Sequence, residues 1–532
     1  MSVVDKAFGV QTNPALDGVR SRSVPRTPGH AAAATRGSFG RAGTGQDGER
    51  DGRSGARTGR LVVVSNRVPM PGRRAASGPG GLAVALEAAL KEHGGIWFGW
   101  SGDSKPVIDA DAVDRHESGR ITFAVTDLTK RDVDEYYLGF SNRALWPICH
   151  YRLDLAHLSA KETDAYFRVN DTMARKLSRL LAPDDLIWVH DYHMIPVGAA
   201  LRERGVDARI GFFLHIPWPP PEVASALPEY RRLLGSFTAY DLVGFQTPRD
   251  AENFGRCLVD EGLATALGEG WYEAGDRRFQ VGAFPIGIDT EAFRASAAKA
   301  ENSAAVRRMT ATLGGHKLVI GVDRLDYSKG IHERISAFCA LLRMDREERG
   351  RVTLLQVTPK SRSDVPEYKQ IQQDVAAQVG EANGEYGDVD WTPIRYLNQN
   401  IPHVTLTGLY RAAQVGLVTP LRDGMNLVAK EYVACQSEAD PGVLVLSRYA
   451  GAAFEMDGAL LVNPYDATAT ALAIRQGLVM SLGERRERWS SMMARLDAVT
   501  VGDWWRGFVG VLADRSADHG GSAVAEARGF GG

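Results

Sequence analysis

Residues 415–432 read VGLVTPLRDGMNLVAKEY, and this stretch decides the fold of the 532-residue chain. The apolar run 415–418 has the composition of a buried strand, and a polar turn containing Gly424 separates it from a helical pattern. The first N–H groups of a helix lack partners within the helix and attract anions. Glu431, about two turns later, is placed to accept hydrogen bonds from a sugar diol. A phosphate site next to a diol acceptor is what binding of a nucleotide sugar requires.

Similar apolar runs on both sides of this stretch predict the rest of the fold. Continuous β-branched and apolar runs indicate strands that are buried on both faces, as in parallel sheets. They occur at residues 60–67, 186–190, 210–215, 241–245, 317–323, 352–357, 415–418 and 442–446. Because helical patterns alternate with these runs, we predict an α/β protein with two doubly wound, Rossmann-like domains facing across a cleft.

The runs fall into two series, which set the predicted domain boundaries. The first series ends before the segment PIGID at 285–289, and the second starts near Lys317. An amphipathic segment around Trp504 predicts a final helix that packs back on the first domain. The predicted organisation is a disordered basic tail at 1–59, an N-terminal domain at 60–289, a C-terminal domain at 290–490, the returning helix within 491–515 and a flexible tail at 516–532.

The N-terminal tail differs in composition from the rest of the chain. Residues 1–59 are rich in Gly, Ala, Ser, Thr and Arg and lack apolar periodicity, so they cannot bury enough surface to offset the entropy lost on ordering. Residues 1–60 carry ten Lys and Arg against five Asp and Glu, although the whole chain has a formal charge of -2. We expect a tail without a specific partner, and contact with nucleic acid is the alternative.

The overall composition excludes several classes of protein. With 44% hydrophobic and 24% charged residues, the chain has the composition of ordinary soluble globular proteins. Its four cysteines have no paired spacing, so neither a disulfide framework nor a zinc site is predicted. No apolar run reaches about 18 residues and the N-terminus is not apolar, which predicts no membrane span and no secretory signal. We therefore expect a cytoplasmic protein without membrane or nucleic-acid partners.

Polar motifs follow two strands of the first series, where open α/β sheets bind ligands. In His190-Asp191-Tyr192-His193, the Asp191 carboxylate is suited either to sugar hydroxyls or to capping the next helix. His215 ends another strand, and the prolines after it fix an extended loop. We interpret His215 as a sugar contact, with a structural histidine as the alternative. The spacing of these histidines does not favour a metal site.

Cationic residues follow the first strand of the second series. In residues 323–330, DRLDYSKG, Arg324 and Lys329 offer two positive charges to one diphosphate. Two fixed cations stabilise the negative charge of a departing nucleoside diphosphate without a metal. The alternative is a solvated loop with a weak surface ion pair. The D-x-D pairs at 109/111, 132/134 and 388/390 are interpreted as solvated loop or helix residues, not as metal ligands.

A second anion site is suggested by residues far apart in the chain. Arg67 ends the first predicted strand, and Arg362 lies in KSRSD at 360–364, so the two guanidinium groups suit one phosphate. Gly80 and Gly81 precede a helical pattern, which indicates either close approach of the backbone to a phosphate or a simple tight turn.

Taken together and in order, these motifs resemble the trehalose-6-phosphate synthase family, glycosyltransferase family 20, whose members are retaining enzymes of two-domain GT-B architecture. The resemblance covers about residues 60–510. It rests on Val64-Ser65-Asn66-Arg67, Gly80-Gly81-Leu82, Trp97-Phe98-Gly99-Trp100, Tyr136-Tyr137, Phe140-Ser141-Asn142, Leu145-Trp146-Pro147, His150-Tyr151-Arg152, His190-Asp191-Tyr192-His193, Phe213-Leu214-His215-Ile216-Pro217, the segments 324–330 and 419–432, and Val462-Asn463-Pro464.

The resemblance implies transfer of glucose from a nucleoside-diphosphate glucose to glucose 6-phosphate, with retention, to give trehalose 6-phosphate. It makes the first domain the acceptor domain and the second the nucleotide-sugar domain. Implied acceptor residues are Arg67, Tyr137, Trp146, Asp191 and Arg362. Implied donor residues are Gly80, Gly81, His215, Arg324, Lys329, Asp423, Gly424, Met425, Asn426, Leu427, Val428 and Glu431. The implied catalytic residues are His215, Arg324, Lys329, Asp191 and Asp423.

The resemblance also implies a same-face mechanism. The leaving phosphate oxygen takes the proton of the acceptor, and no side-chain nucleophile is needed, which agrees with the lack of a convincing carboxylate pair in the motifs. We expect no metal and no cofactor, because the nucleoside-diphosphate glucose is a co-substrate. A homo-oligomer is expected.

Several alternatives stay open at the level of sequence. The donor base is read largely by backbone groups, so uracil, guanine and adenine are not distinguished. Arg448 stands where a neutral or acidic residue is expected for the family, beside the donor region. Another phosphorylated acceptor, such as glycerol 3-phosphate or a cyclitol phosphate, and a catalytically silent regulator that binds sugar phosphate are the alternatives to the implied activity.

Overall fold

The computed structural model describes residues 59–71, 81–109, 111–360 and 366–514, with the side chains of Gly81, Leu82 and Pro366 excepted. The predicted N-terminal tail, apart from its last residue, and the predicted C-terminal tail therefore lie outside the described residues. Gly80 and Arg362, which the resemblance places in the site, also lie outside them.

The first sheet contains ten strands from the described part of the chain. They are β1 (Leu61–Arg67), β2 (Gly95–Lys105), β3 (Asp114–Ser118), β4 (Ile121–Thr129), β5 (Leu186–His190), β6 (Arg209–Phe213), β7 (Leu242–Phe245), β8 (Thr265–Gly268), β9 (Trp271–Ala274) and β10 (Arg277–Ala283). Their order is β3-β4-β2-β1-β5-β6-β7-β10-β9-β8. Seven adjacent strands pair in parallel, namely β4, β2, β1, β5, β6, β7 and β10. At one edge β3 pairs with β4 in antiparallel orientation, and at the other edge β9 and β8 do the same beyond β10.

The second sheet contains six strands from the same described ranges, and all of them pair in parallel. They are β11 (Lys317–Val322), β12 (Val352–Val357), β13 (Ile394–Leu397), β14 (Val415–Val418), β15 (Val443–Ser447) and β16 (Leu460–Val462). Their order, β13-β12-β11-β14-β15-β16, reverses direction between β11 and β14. The core of the first sheet reverses in the same way between β1 and β5. Each sheet therefore has the doubly wound order with one switch point.

Helices connect the strands and cover the sheets. The α-helices of the described ranges are α1 (Gly81–His93), α2 (Lys130–Asp132), α3 (Trp146–Cys149), α4 (Ala160–Ser178), α5 (Val197–Arg202), α6 (Pro221–Ala224), α7 (Tyr230–Gly235), α8 (Pro248–Asp260), α9 (Thr290–Ala300), α10 (Ala304–Ala311), α11 (Ile331–Met344), α12 (Pro366–Tyr386), α13 (His403–Ala412), α14 (Leu427–Cys435), α15 (Ala467–Val479), α16 (Leu482–Ala498) and α17 (Val501–Ala513). A π-helix, Val133–Leu145, joins α2 to α3.

The apolar runs form strands because both faces of the sheets are covered. In β1, Leu61 and Val63 belong to one buried cluster, whereas Val62 and Val64 belong to another, so successive side chains enter different cores. A strand that is buried on both faces needs apolar residues at every position, which is the pattern that the sequence shows. The predicted fold class, two doubly wound α/β sheets, is confirmed.

The last helix, α17, packs against the first sheet. A Cβ atom on Gly211 or on Gly244 would lie 2.8 Å or 2.7 Å from the Phe508 ring, so these two glycines let the helix approach β6 and β7. Trp504 of the same helix lies with its ring centroid 5.1 Å from that of Trp188 on β5. The C-terminal helix therefore belongs to the core that covers β5, β6 and β7.

Two buried cations tie the second sheet to elements of the first. Arg422 Nη2 donates to Asp250 Oδ1 at 3.0 Å, and both side chains are almost fully buried. Lys430 Nζ donates to the carbonyl oxygen of Ile286, at 2.7 Å, in the segment between β10 and α9. Removing one partner of a buried ion pair such as Arg422–Asp250 typically costs about 3–5 kcal/mol, and the Lys430 hydrogen bond adds a second link between the two sheets.

The exclusions made from composition concern cysteines and membrane helices. The four cysteines are free thiols, of which Cys149, Cys257 and Cys435 are buried and Cys339 is half-buried. Within the described ranges, no helix is both long enough and apolar enough to cross a membrane.

Candidate active site

The predicted motifs lie at the carboxyl ends of the strands that flank the two switch points. In the first sheet, Arg67 ends β1 and Asp191 follows β5. In the second sheet, segments 323–330 and 419–426 follow β11 and β14. The loops diverge in opposite directions at a switch point and leave a crevice, so this is where doubly wound sheets bind ligands.

Asp423, in the loop after β14, is held by two donors. Its Oδ2 atom accepts hydrogen bonds from Lys329 Nζ and, at 3.0 Å, from Asn426 Nδ2. Asn426 has φ +77° and accepts the Ala429 N–H with its own side chain at 3.4 Å, which caps α14. Asn tolerates this left-handed backbone better than most residues do. The carboxylate is therefore fixed, and its Oδ1 atom has no hydrogen-bond partner among the described residues.

Gly424 brings the β14 loop against the loop that follows β6. A Cβ atom on Gly424 would lie 2.1 Å from the carbonyl oxygen of His215 and 3.1 Å from the Cα atom of Ile216. These are backbone atoms that cannot rotate away, so a side chain does not fit here. The glycine therefore sets how closely Asp423 of the second sheet approaches the His215 backbone of the first.

The two predicted cations after β11 have different surroundings. Lys329 is almost fully buried and is paired with Asp423. Arg324 is exposed, and its guanidinium makes no hydrogen bond or ion pair with any residue that the structure describes. No hydrogen-bonded carboxylate of the described residues neutralises the Arg324 guanidinium, and such a free guanidinium suits contact with a diphosphate.

Arg334, on α11, positions the loops that carry these cations. It is fully buried and donates to Asp323 at 2.6 Å, to Thr419 Oγ1 at 3.1 Å and to the carbonyl oxygen of Lys329 at 3.3 Å. Asp323 follows β11 and Thr419 follows β14, so one guanidinium joins both strand ends. Burial raises the pKa of Asp323, although Arg334 acts in the opposite direction. This network was not predicted from the sequence, because Thr419 lies 85 residues from Arg334 and reaches it only through the pairing of β11 with β14.

Glu431 lies in α14, the helix that follows the β14 loop. Burial raises the pKa of its carboxyl group to about 7, and the nearby Tyr410 hydroxyl acts in the opposite direction. The carboxyl group is thus poorly solvated, and it gains from any donor that reaches it. A ribose diol is such a donor, because its two hydroxyls can both donate to one carboxylate.

Asp191 has an unusual backbone for a residue at a strand end. Its φ is +72°, its N–H donates to the Phe213 carbonyl at 2.8 Å, and its Oδ1 atom accepts the His215 N–H at 3.3 Å. The next helix, α5, starts six residues later with Pro196 as its N-cap, so Asp191 does not cap it. Left-handed non-glycine residues cluster at functional sites, which favours the ligand-binding alternative.

The buried His190 and the half-buried His215 form an imidazole pair. His190 Nδ1 and His215 Nε2 are 3.1 Å apart. Burial lowers the pKa of His215 to about 3 and holds the pKa of His190 well below its usual value. Both rings are therefore neutral near pH 7. Neither adds a positive charge next to the place where His215 and Gly424 meet.

An aromatic wall runs across the first sheet from Arg67. The Arg67 guanidinium lies 5.4 Å from the Trp100 ring centroid, and Gly102 leaves room for it, because a Cβ there would lie 2.4 Å from Nη2. The Trp100, Tyr137 and His193 rings then follow at centroid distances of 5.5 Å and 5.7 Å. Trp100, Tyr137 and His193 together form the aromatic wall. At one end of it lies the Arg67 guanidinium, which has no acidic partner among the described residues.

Trp146 continues the aromatic surface beyond the wall. Its ring lies 5.6 Å from that of Tyr192 and stacks on His150 at 4.2 Å. The His150 Nδ1 atom donates to the Trp146 carbonyl at 2.7 Å, and burial lowers the pKa of His150 to about 4. Flat apolar rings with few competing polar groups are suited to the faces of a sugar ring.

Two of the three D-x-D pairs contain an Asp that is paired with basic side chains. Asp111 pairs with Arg175 and Arg179, and Asp134 pairs with Lys130. Asp132 is buried rather than solvated, because it completes the capping box at the start of α2 with Thr129. Across the described ranges, no group of three or more His, Cys, Asp and Glu side chains is placed to hold a metal ion.

The structure does not place every predicted site residue at the crevice. Gly81 starts α1, but its neighbour Gly80 and the predicted phosphate ligand Arg362 lie outside the described residues. Arg448 follows β15 with an exposed side chain, and its N–H donates to the Val462 carbonyl at 2.9 Å. The binding roles of the predicted site residues stay predictions.

The fold and the loops define a class of protein. Two Rossmann-like sheets whose switch points carry cationic and carboxylate side chains have the architecture of two-domain glycosyltransferases. The chain belongs to glycosyltransferase family 20, whose sequence pattern matches residues 59–514.

Relatives and solved structures are similar over most of the chain. A trehalose-6-phosphate synthase of Sinorhizobium fredii is 54% identical over 458 residues, which is 86% of this chain and 99% of that protein. A UDP-forming α,α-trehalose-phosphate synthase of Burkholderia xenovorans, in complex with glucose 6-phosphate, is 46% identical with a TM-score of 0.82 and covers 86% of this chain and 100% of that one. An Escherichia coli structure with bound UDP-2-fluoro glucose is 44% identical with a TM-score of 0.80 and covers 86% and 99%.

Proposed function

We propose that the protein transfers glucose from a nucleoside-diphosphate glucose to glucose 6-phosphate with retention, giving trehalose 6-phosphate. The observation that carries the proposal is the contact between the two sheets at Gly424 and His215. It places a fixed carboxylate, Asp423, and the buried Lys329 beside the loops of the first sheet that carry Asp191 and His215. The similar synthase from Burkholderia xenovorans, whose structure contains glucose 6-phosphate, supports the identity of the acceptor.

On the donor side, each proposed contact matches a property of its residue. The exposed Arg324 and the buried Lys329 bind the diphosphate, and backbone N–H groups of Leu427 and Val428 at the start of α14 add to it. Asp423 accepts hydrogen bonds from the hydroxyls of the donor sugar through Oδ1. Glu431 accepts the ribose diol. Gly424, Met425 and Asn426 form the turn between these groups, and Gly80 and Gly81 are proposed to bind the diphosphate.

On the acceptor side, Arg67 binds the phosphate of glucose 6-phosphate, together with Arg362. The aromatic wall gives the sugar an apolar surface, and Tyr137 and Trp146 line it. Asp191 holds acceptor hydroxyls with its carboxylate, which the His215 N–H anchors.

The chemistry follows from the charges that these groups supply. The bond from the donor anomeric carbon to the diphosphate oxygen breaks, and that carbon gains positive charge while the oxygen gains negative charge. Lys329 and Arg324 stabilise the oxygen, and the His215 carbonyl and neutral ring leave the carbon side without added positive charge. The acceptor hydroxyl then forms the new bond on the same face and passes its proton to the leaving oxygen. No side-chain nucleophile takes part.

The reaction is proposed to need no divalent metal, because Arg324 and Lys329 can neutralise the charge that a metal would otherwise balance. Uracil is proposed as the donor base, since the solved relative from Burkholderia xenovorans is UDP-forming. A cytoplasmic homo-oligomer without nucleic-acid or membrane partners is proposed as its state in the cell.

The test is product formation by the purified chain. Glucose 6-phosphate is supplied with UDP-, GDP- or ADP-glucose in separate reactions, each with and without EDTA. Trehalose 6-phosphate from one donor, in the presence of EDTA, supports the reaction, the base and independence from metal. Product only without EDTA contradicts the metal proposal. Binding of glucose 6-phosphate without product from any donor contradicts the activity and supports a silent regulator.

A further inference from the structure

Gln246, directly after β7, joins the segment between the two domains to His215. Its side chain is almost fully buried. The Oε1 atom accepts the backbone N–H of Ile286 at 3.0 Å, and the Nε2 atom lies 3.3 Å from His215 Nδ1. Ile286 belongs to the segment between the last strand of the first sheet and α9. No role for Gln246 follows from the motifs above.

The backbone N–H of Ile286 fixes the direction of these hydrogen bonds. A backbone N–H only donates, so the oxygen of the Gln246 amide faces Ile286 and the nitrogen faces His215. His215 Nδ1 must then accept, so the ring carries its proton on Nε2 and donates to His190 Nδ1 at 3.1 Å. His190 in turn carries its proton on Nε2, which is buried and has no partner among the described residues.

Both ring nitrogens of His215 are therefore used within the protein. The ring has no nitrogen left for a substrate, whereas the backbone of His215 faces the crevice on both sides of the residue. Its N–H donates to Asp191, and its carbonyl oxygen is the atom that Gly424 approaches. Holding the ring on two sides holds this backbone.

Ile286 is held by groups from both domains. Gln246 of the first domain takes its N–H, and Lys430 of α14 donates to its carbonyl at 2.7 Å. Lys430 also pairs with Glu455 at 2.7 Å. A shift of the second sheet relative to the first would act on Ile286 and, through one amide group, on His215.

We infer that Gln246 is a positioning residue for the transfer reaction: it fixes the tautomer and place of His215 and couples the segment between the domains to the carbonyl that faces the donor. The inference rests on the proposed function for its effect on turnover. The hydrogen-bond direction itself does not depend on that function.

Two variants separate hydrogen bonding from packing. Gln246→Met keeps volume and removes both hydrogen bonds. Gln246→Glu keeps the shape and accepts from both Ile286 and His215, with the His215 proton moved to Nδ1. If Gln246 only fills space, the Met variant is the milder change and the buried charge of the Glu variant is the more harmful. If it positions His215, the order is reversed.

The control replaces an amide that also holds backbone, but away from the crevice. Asn383 of α12 accepts the Ile394 N–H at 2.9 Å and donates to the Ile394 carbonyl at 3.0 Å, at the amino end of the edge strand β13. Asn383→Leu removes a comparable pair of hydrogen bonds from the same protein. It therefore reports what general loss of stability does to turnover.

Steady-state kinetics and ¹⁵N NMR of histidine side chains in the full chain test the inference. We expect Gln246→Met to lower kcat roughly 10- to 100-fold, the scale of a displacement of about 1 Å near the reacting atoms, with KM for glucose 6-phosphate unchanged. Gln246→Glu should lose less than about 10-fold, and Asn383→Leu should match the unaltered chain. The NMR spectrum should show the Nε2–H tautomer for His215 and the Nδ1–H tautomer in Gln246→Glu.

Three outcomes overturn the inference. They are wild-type kcat in Gln246→Met, an equal loss in Asn383→Leu, and an Nδ1–H tautomer for His215 in the unaltered chain. If the unaltered chain makes no trehalose 6-phosphate at all, the proposed function fails, and the NMR result still decides whether Gln246 sets the tautomer of His215.

Discussion

Replacing Gly424 with alanine tests the contact on which the proposed site depends. The added Cβ would lie 2.1 Å from the His215 carbonyl oxygen, 3.0 Å from the carbonyl carbon and 3.1 Å from the Ile216 Cα. All three atoms belong to the backbone, so no side chain can rotate to make room. Gly424 does not have a positive φ, so alanine can adopt its backbone conformation and the clash is the main effect.

The size of the effect follows from the distance that must be gained. An ordinary contact is about 3.4 Å, so the β14 loop and the His215 loop must separate by roughly 1 Å after small torsional adjustments. Overpacking of this kind costs about 1–3 kcal/mol of stability. A displacement of about 1 Å between groups that act on the same reacting atoms costs roughly 10²-fold in rate. We therefore expect kcat to fall about 100-fold while the chain stays folded at 25 °C.

The assay is trehalose 6-phosphate formation with saturating glucose 6-phosphate and varied donor. Gly380→Ala is the matched control, because Gly380 lies exposed in α12 with no atom within 4 Å of an added Cβ. That change should leave kcat unaltered and stabilise the chain by about 0.5–1 kcal/mol, as alanine does in helices. Wild-type kcat in folded Gly424→Ala would show that the two loops do not act on the same reacting atoms.

Three further predictions concern the charges of the site. Arg324→Ala should lower kcat about 10²- to 10³-fold with an unchanged Tm, because Arg324 has no partner among the described residues. Lys329→Ala should lower kcat by the same factor and also reduce Tm, since it removes the ion pair with Asp423. Normal turnover in both variants would remove the diphosphate assignment. Arg67→Ala should raise KM for glucose 6-phosphate roughly 10- to 100-fold without changing KM for the donor, because one charge-assisted hydrogen bond is worth about 1.5–3 kcal/mol. An unchanged KM for glucose 6-phosphate would contradict the proposed role of Arg67. Burial raises the pKa of Glu431 to about 7, and the ionised carboxylate is the better acceptor for a ribose diol. The affinity for UDP, measured by calorimetry, should therefore be highest above about pH 8 and should fall as the pH drops through 7. Glu431→Gln should remove this dependence, and an identical pH profile in the variant would place the ribose elsewhere.

The strands could be predicted well because burial on both faces leaves a strong pattern. The predicted runs at 186–190, 352–357 and 415–418 coincide with β5, β12 and β14. β2, β4 and the π-helix Val133–Leu145 were not predicted. The π-helix mixes polar and apolar residues without a regular period, so periodicity does not detect it.

The position of candidate residues in the fold could be predicted where they follow a strand. Asp191, Arg324 and Asp423 lie after strands whose carboxyl ends converge at one edge of a sheet, and their roles stay predictions. The roles of Gln246 and Arg334 could not be found, because each depends on bringing together segments that are distant in the chain. A buried Gln or Arg has the same appearance in the sequence as an exposed one. Trp100 is part of the motif Trp97-Phe98-Gly99-Trp100. Its contact with Arg67 could not be predicted, because the contact requires the pairing of β1 with β2.

The measurement that tests the central claim most directly is NMR of the product made from donor labelled with ¹³C at the anomeric carbon of glucose. The purified chain is mixed with glucose 6-phosphate and UDP-glucose in EDTA. The account predicts that the label appears in trehalose 6-phosphate with the α configuration kept, at a rate that falls about 100-fold in Gly424→Ala. A β-linked product, or label released only as free glucose, would contradict it.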